Sequence, residues 1–270
     1  MEASALRYIQ VIKIILGFMI LSLYNNLLPI MLGLNGATWL VIPLFFFFIL
    51  YGIARFTSKS FRDFGLQFHS GWVKNLIKGF SFGFIFYCIL VSLSIFFERY
   101  QFHESRTFGE IALLIVSSLI GMFFGSLLND IITKGYIYGS FKEIMSRRWL
   151  ILLILFSYSF DDIWYEGFSI SNTVFSICLG LSLVYCLFQT RSIWMTTGIH
   201  WGWNVMYSLF YGMPGTGEQG GIYAISIVNR GAFFQYLTLV ICIMMFLFVV
   251  CYFSFKKKQD VSFSNTLSDK

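Results

Sequence analysis

The chain has 270 residues, of which 57% are hydrophobic and only 12% charged, and its mean hydropathy is +0.74. A soluble domain carries about 45–50% apolar and about 25% charged residues, so a soluble globular protein is excluded and an integral membrane protein is implied. The net charge is +6, but Lys and Arg stand in short patches between apolar runs, which suits anionic lipid and membrane orientation and excludes a nucleic-acid partner.

The first apolar run, 10–33, follows Arg7 and Lys13. It is longer than the apolar part of a signal peptide and no small-residue cleavage site follows it, so it reads as a first membrane helix. A second run covers 38–55. The stretch 56–72, FTSKSFRDFGLQFHSGW, reads as a short amphipathic segment resting at the cytoplasmic interface. The third run, 74–97, carries Gly79 and Gly83 at a spacing that allows close helix packing, and the fourth, 110–138, repeats that spacing at Gly121 and Gly125. The remaining runs are 149–163, which is short, then 172–190, 193–212 and 233–255. The expected fold is therefore all-α: a polytopic transmembrane bundle of about eight helices forming one membrane-embedded domain over 1–255. Residues 256–270 read as a basic cytoplasmic tail without fixed structure.

Charge placement orients this bundle. The N-terminus, the 55–78 connection, the 142–148 connection, the turn at Arg191 and the tail are each net positive. The connections between them are acidic or nearly neutral: Glu98, Glu104 and Glu110 in one, Asp161, Asp162 and Glu166 in another, Glu218 and Arg230 in the third. An even number of spans with both termini in the cytoplasm puts every positive segment inside. His69, His103 and the Asp161–Glu166 group read as polar loop residues. The five cysteines, Cys88, Cys178, Cys186, Cys242 and Cys251, all lie in apolar runs without CxxC spacing and read as small packing residues, not as metal ligands or disulfide partners.

Polar residues interrupt two of the runs. In SLLNDIITKGYIYG, Ser126, Asn129, Asp130 and Thr133 recur at helical spacing and share a face, and Asp130 stands four residues before Lys134, within pairing distance. In SIWMTTGIHWGWNVMYSLFYG, His200 and Asn204 share a face with Thr197 and Ser208. Polar and ionisable residues inside hydrocarbon face a cavity or a partner group. Counted from the cytoplasmic ends of their helices, His200 lies roughly 10 Å deep, Asn204 roughly 16 Å and Asp130 roughly 12 Å. Phe156 and Phe160, on the fifth run, fall at similar depths, so a cytoplasm-facing polar cavity is expected where these helices meet.

These residues resemble the CPBP family, the CAAX-protease and bacteriocin-processing (Abi) group of intramembrane proteins, over roughly 61–234. Its motifs are E-E-x-x-x-R, F-x-x-x-H and H-x-x-x-N/D. The third is intact as His200-Trp-Gly-Trp-Asn204, and the surrounding R-S-I-W-M-T-T-G and Y-G-M-P-G-T-G also match. The resemblance aligns Asn129 and Asp130 with the two Glu, Lys134 with the Arg, and Phe156 and Phe160 with the second motif. It implies a glutamate that activates water at position 129, where an amide cannot take the proton. The expectation is therefore a catalytically impaired homologue that binds or regulates a membrane peptide or protein partner, as in bacteriocin immunity, peptide maturation or signalling. The alternative is an active endopeptidase cutting near the cytoplasmic face, with Asp130 activating water and His200 and Asn204 stabilising the oxyanion. No cofactor is implied; one His and one Asp make a thin ligand set for a metal. The compact chain resembles bacterial members, which implies a plasma membrane.

Overall fold

A computed structural model describes residues 2–32, 38–161, 163–213 and 220–268. Its helices are α1 (Glu2–Leu32), α2 (Thr38–Phe56), α3 (Trp72–Phe96), α4 (Phe108–Asp130), α5 (Ile137–Phe141), α6 (Arg147–Asp161), α7 (Ile163–Glu166), α8 (Ile170–Thr190), α9 (Trp194–Tyr211) and α10 (Phe233–Ser268). A π-helical turn, Ile131–Tyr136, joins α4 to α5 without a break. Among the described residues five helices are long and apolar enough to cross a membrane: Tyr8–Leu32, Trp72–Phe96, Phe108–Phe141, Ile170–Thr190 and Phe233–Lys257. The apolar part of α2, Val41–Phe56, is shorter. A helical membrane bundle results.

Two of the expected spans differ from simple crossings. α6 has 15 residues, short of the roughly 20 that a bilayer core requires. α9 has 18 residues and buries most of them, from Trp194 through Ser208. It is the centre of the bundle, packed against α3, α4 and α8. Its polar residues follow from that position: with protein on several sides, their partners come from neighbouring helices.

Glycine sets how closely α9 and α3 approach. A Cβ on Gly79 would meet the backbone of Met195 and Ile199, and one on Gly83 the backbone of Ile199 and Trp203. Gly198 and Gly202 return the contact against the backbone around Leu76, Phe80 and Phe84. The Gly79/Gly83 spacing thus marks a helix interface of the small-residue type. Gly125 differs: nothing lies within 4 Å of the position of its Cβ.

Two expectations are corrected. The fold is not wholly helical, because β1 (Tyr100–Ser105) pairs antiparallel with β2 (Tyr223–Ile227). Tyr100, Phe102, Tyr223, Ile225 and Ile227 are strand formers at period two, and the pairing places both connections at the same end of the bundle. The 56–72 stretch, between α2 and α3, is a series of turns with Phe64 fully buried against Tyr136. Asp63 fixes those turns by accepting from the backbone N–H and the hydroxyl of Ser60. Partial burial pushes the Asp63 carboxyl up, but the Ser60 hydrogen bonds and the charges of Lys142 and Lys59 outweigh it and hold it below the ordinary range. Finally, α10 carries on through the lysines to Ser268 instead of stopping at Phe255; Lys and Gln are good helix formers.

The glycine interface yields a direct test. Gly83→Leu or Gly198→Leu forces α3 off α9 at a cost of about 1–3 kcal/mol or more. The thermal midpoint in detergent is expected to fall by several degrees, whereas Gly125→Ala leaves it unchanged or slightly raised.

Candidate functional site

The polar groups of α4, α6 and α9 assemble around one ion pair. Lys134 Nζ lies 2.7 Å from Asp130 Oδ1, and both side chains have no solvent exposure. The π-helical turn explains how Lys134 serves two consecutive α4 residues. Its wider i→i+5 geometry lets Nζ reach Asp130 four residues back and also donate to Asn129 Oδ1, five back, at 3.3 Å. Lys134 Nζ donates to Thr133 Oγ1 at 3.2 Å as well, and sits 3.5 Å from the centre of the Tyr158 ring on α6. An ammonium with these partners is compensated in a way that an isolated one would not be.

Asp130 passes this order on to α9. The same Oδ1 lies 3.1 Å from His200 Nδ1. A carboxylate ion-paired to lysine is an acceptor only, so Nδ1 carries the proton and donates it, and in the neutral form of the ring the lone pair is at Nε2. The Tyr158 ring stands edge-on to the imidazole with centroids 5.6 Å apart. One turn further along α9, Asn204 Nδ2 donates to Ser126 Oγ on α4 at 3.1 Å. Trp201 Nε1 to the Leu119 carbonyl at 2.9 Å, and Ser208 Oγ with Ser118 Oγ at 2.7 Å, fix the register of α9 on α4. Thr197 is buried.

His200 and Asn204 open onto a cavity of about 590 Å³. Its wall is largely apolar and aromatic, with Tyr87, Phe124, Phe175, Trp203, Tyr207 and Tyr211 among its members, and it also holds Asn129, Arg99 and Asp161. Asp130 and Lys134 do not line it; they lie behind His200. The cavity runs from His200 and Asn129 toward Ser94, Tyr100, Asn172 and Tyr211. That is the end where α3 stops and α8 begins, opposite the basic connections. A cytoplasm-facing cavity and cytoplasmic basic connections are therefore incompatible: with the basic connections inside, the cavity would face the outer side.

The second-motif positions lie elsewhere. Phe156 and Phe160 are 58% and 36% exposed and pack on each other on the outside of α6, with ring centroids 4.2 Å apart. The residues that α6 turns inward are Leu150, Ile154, Leu155, Tyr158, Ser159 and Asp161. Asp161, expected in a solvated loop, is 9% exposed. Its Oδ1 accepts from Asn26 Nδ2 on α1 at 2.9 Å and its Oδ2 from Asn129 Nδ2 on α4 at 2.6 Å. So α1, which gave no site residue in the sequence, supplies Asn26, a fully buried amide. The signal for Asp161 was the helical period that it shares with Leu150, Ile154 and Tyr158. Asp162 and the side chain of Glu166 lie outside the described residues. Among the described residues no three His, Cys, Asp or Glu side chains come together. With Nδ1 of His200 engaged by Asp130, the donors at the cavity fall short of a zinc ligand set.

Residues 111–206 match the model of a family described as type II CAAX prenyl endopeptidase Rce1-like. The match covers less than half of the chain and runs from the start of α4 into α9, taking in Asn129, Asp130, Lys134, Asp161, His200 and Asn204. Over these residues the chain is similar to the CAAX-protease-like family, in agreement with its motifs, and its apolar helices support a multi-pass membrane protein. No curated protein and no solved structure matches it.

Two outcomes follow from the geometry. Lys134→Met leaves the buried Asp130 without its cation and costs about 3–5 kcal/mol, read as a lower thermal midpoint; adding Asp130→Leu recovers much of it. In a variant whose native cysteines are replaced, a cysteine at Asn172 is labelled by a membrane-impermeant maleimide on intact cells, and one at Lys59 only after permeabilisation. The reverse pattern inverts the orientation.

Proposed function

We propose that the chain is a membrane endopeptidase that hydrolyses a peptide bond inside this cavity, in the plasma membrane of a bacterium. The observation that carries the reading is the buried Lys134–Asp130–His200 chain, which ends at the cavity wall beside Asn204. Buried ion pairs are costly to desolvate, and apolar residues of similar volume often pack as well or better. A contact that served only to join α4 to α9 would not require one. Holding an imidazole in one tautomer does.

The roles differ from the sequence expectation at two positions. Asp130 is a positioning residue: it is fully buried, its Oδ1 is shared by Lys134 and His200, and it stands off the cavity. His200, with its proton on Nδ1, offers Nε2 as an acceptor that orients a water. Asn204 gives one amide N–H to Ser126; its other N–H is suited to the oxyanion of the tetrahedral intermediate. The aromatic wall suits an apolar segment entering from the bilayer. The matched family's description names prenylated CAAX substrates, and a lipidated peptide end is the substrate proposed first. The impaired, partner-binding reading rests on the amide at Asn129, which is the wrong group for a base.

The test is cleavage by the full chain in liposomes. One fluorogenic peptide ends in a prenylated cysteine followed by two aliphatic residues and a C-terminal residue; another is an apolar membrane peptide without the prenyl group. Wild type is expected to cut at least one of them. His200→Ala should lose about 10²–10⁴-fold in kcat and Asn204→Ala about 10²–10³-fold. A wild type that cuts neither peptide, or a His200→Ala variant that cuts as well as wild type, overturns the reading in favour of partner binding.

A further inference from the structure

We infer that Asp161 is the proton-accepting catalytic residue of this site, a carboxylate carried on α6 at the place where α4 offers the amide of Asn129. The inference rests on the hydrolase reading and names the group that activates its water. Among the described residues that line the cavity, Asp161 is the one carboxylate. It closes the last turn of α6, one turn after Tyr158, whose ring is perpendicular to the His200 imidazole with centroids 5.6 Å apart. At 1.5 Å per residue that is a rise of about 4.5 Å, and carboxylate and imidazole both line the one cavity.

Its surroundings are built to hold an acceptor. Lys134 can only donate, so its hydrogen bond to Asn129 requires the amide oxygen on that side and turns Nδ2 toward Asp161. Asn26 donates to the other carboxylate oxygen from α1. Asn129 and Asp130, neighbours on α4, thus divide the work: the first orients Asp161 and the second orients His200.

The step follows. A water donates one hydrogen to His200 Nε2 and the other to Asp161, which turns its remaining lone pair toward the scissile carbonyl carbon. The Asp161 carboxylate takes that second proton as the C–O bond forms and the carbonyl π pair moves onto oxygen, where the Asn204 N–H stabilises it. The tetrahedral intermediate collapses, the C–N bond breaks, and the protonated Asp161 returns its proton to the leaving amine. A carboxylic acid and an amine are released and Asp161 is again a carboxylate.

The experiment uses the full chain in liposomes with the two fluorogenic peptides. Asp161→Asn is expected to lower kcat by about 10²–10⁴-fold, with a thermal midpoint within a few degrees of wild type and with the acid limb of the pH–rate profile gone from the residual activity. The transposed variant Asn129→Asp/Asp161→Asn, which keeps one amide and one carboxylate across the same contact, is expected to recover at least tenfold over Asp161→Asn. Wild-type kcat in Asp161→Asn, with activity still lost in His200→Ala, overturns the assignment and leaves the hydrolase reading standing. An inert wild type overturns both. If Asp161→Asn is too unstable to assay, the transposed variant decides: recovered cleavage supports the inference, and a folded, inert protein overturns it.

Discussion

The ion pair between Lys134 and Asp130 is the constraint on which the rest of the site depends. Two opposite charges without solvent exposure persist only with good geometry and further polar partners. Those partners lie on three helices and the π-helical turn. Asn129 and Thr133 come from the same segment, Tyr158 from α6 and His200 from α9, and through Asn129 and Asp161 the chain of contacts reaches Asn26 on α1. One buried cation therefore sets the orientation of an imidazole on one side and an amide–carboxylate pair on the other. The π-helical turn is part of the same device, since an ordinary α-helical turn would bring Lys134 less readily to both Asn129 and Asp130.

Packing supplies the rigidity that the polar network needs. The close approach of α3 and α9 through Gly79, Gly83, Gly198 and Gly202 fixes the helix that carries His200 and Asn204. Ser118, Leu119 and Ser126 of α4 then hold α9 from the other side. The space left between these helices is the cavity, and Gly121 and Gly125 border it instead of closing it. Two pairs of glycines with the same spacing thus do different things: one brings backbones together, the other leaves room.

Much of this was legible in the sequence, for identifiable reasons. Long apolar runs fixed the membrane class and most helices, and the spacing of Asn129, Asp130, Lys134, His200 and Asn204 put them on facing sides of α4 and α9. What escaped notice shares one cause, the partner being distant in sequence. Asn26 stands 135 residues from Asp161 and reads alone as an isolated amide in an apolar run. Asp161, next to Asp162 and Glu166, reads as an acidic loop unless its period with Leu150, Ile154 and Tyr158 is followed. Phe160 fell on a motif position by spacing, yet it turns outward because the inward face of α6 is set by that other period. In the sequence the strands look like loops because each is short and pairs with a segment more than a hundred residues away.

The central claim is that buried Asp130 fixes the tautomer of His200 at the cavity. With three histidines in the chain, nitrogen NMR of the histidine-labelled protein in lipid bilayers reads this directly. The expected spectrum at neutral pH shows His200 protonated at Nδ1 and bare at Nε2, with that preference lost in Asp130→Leu/Lys134→Met. A His200 protonated at Nε2 and bare at Nδ1, or a tautomer unchanged when Asp130 is removed, would contradict the account.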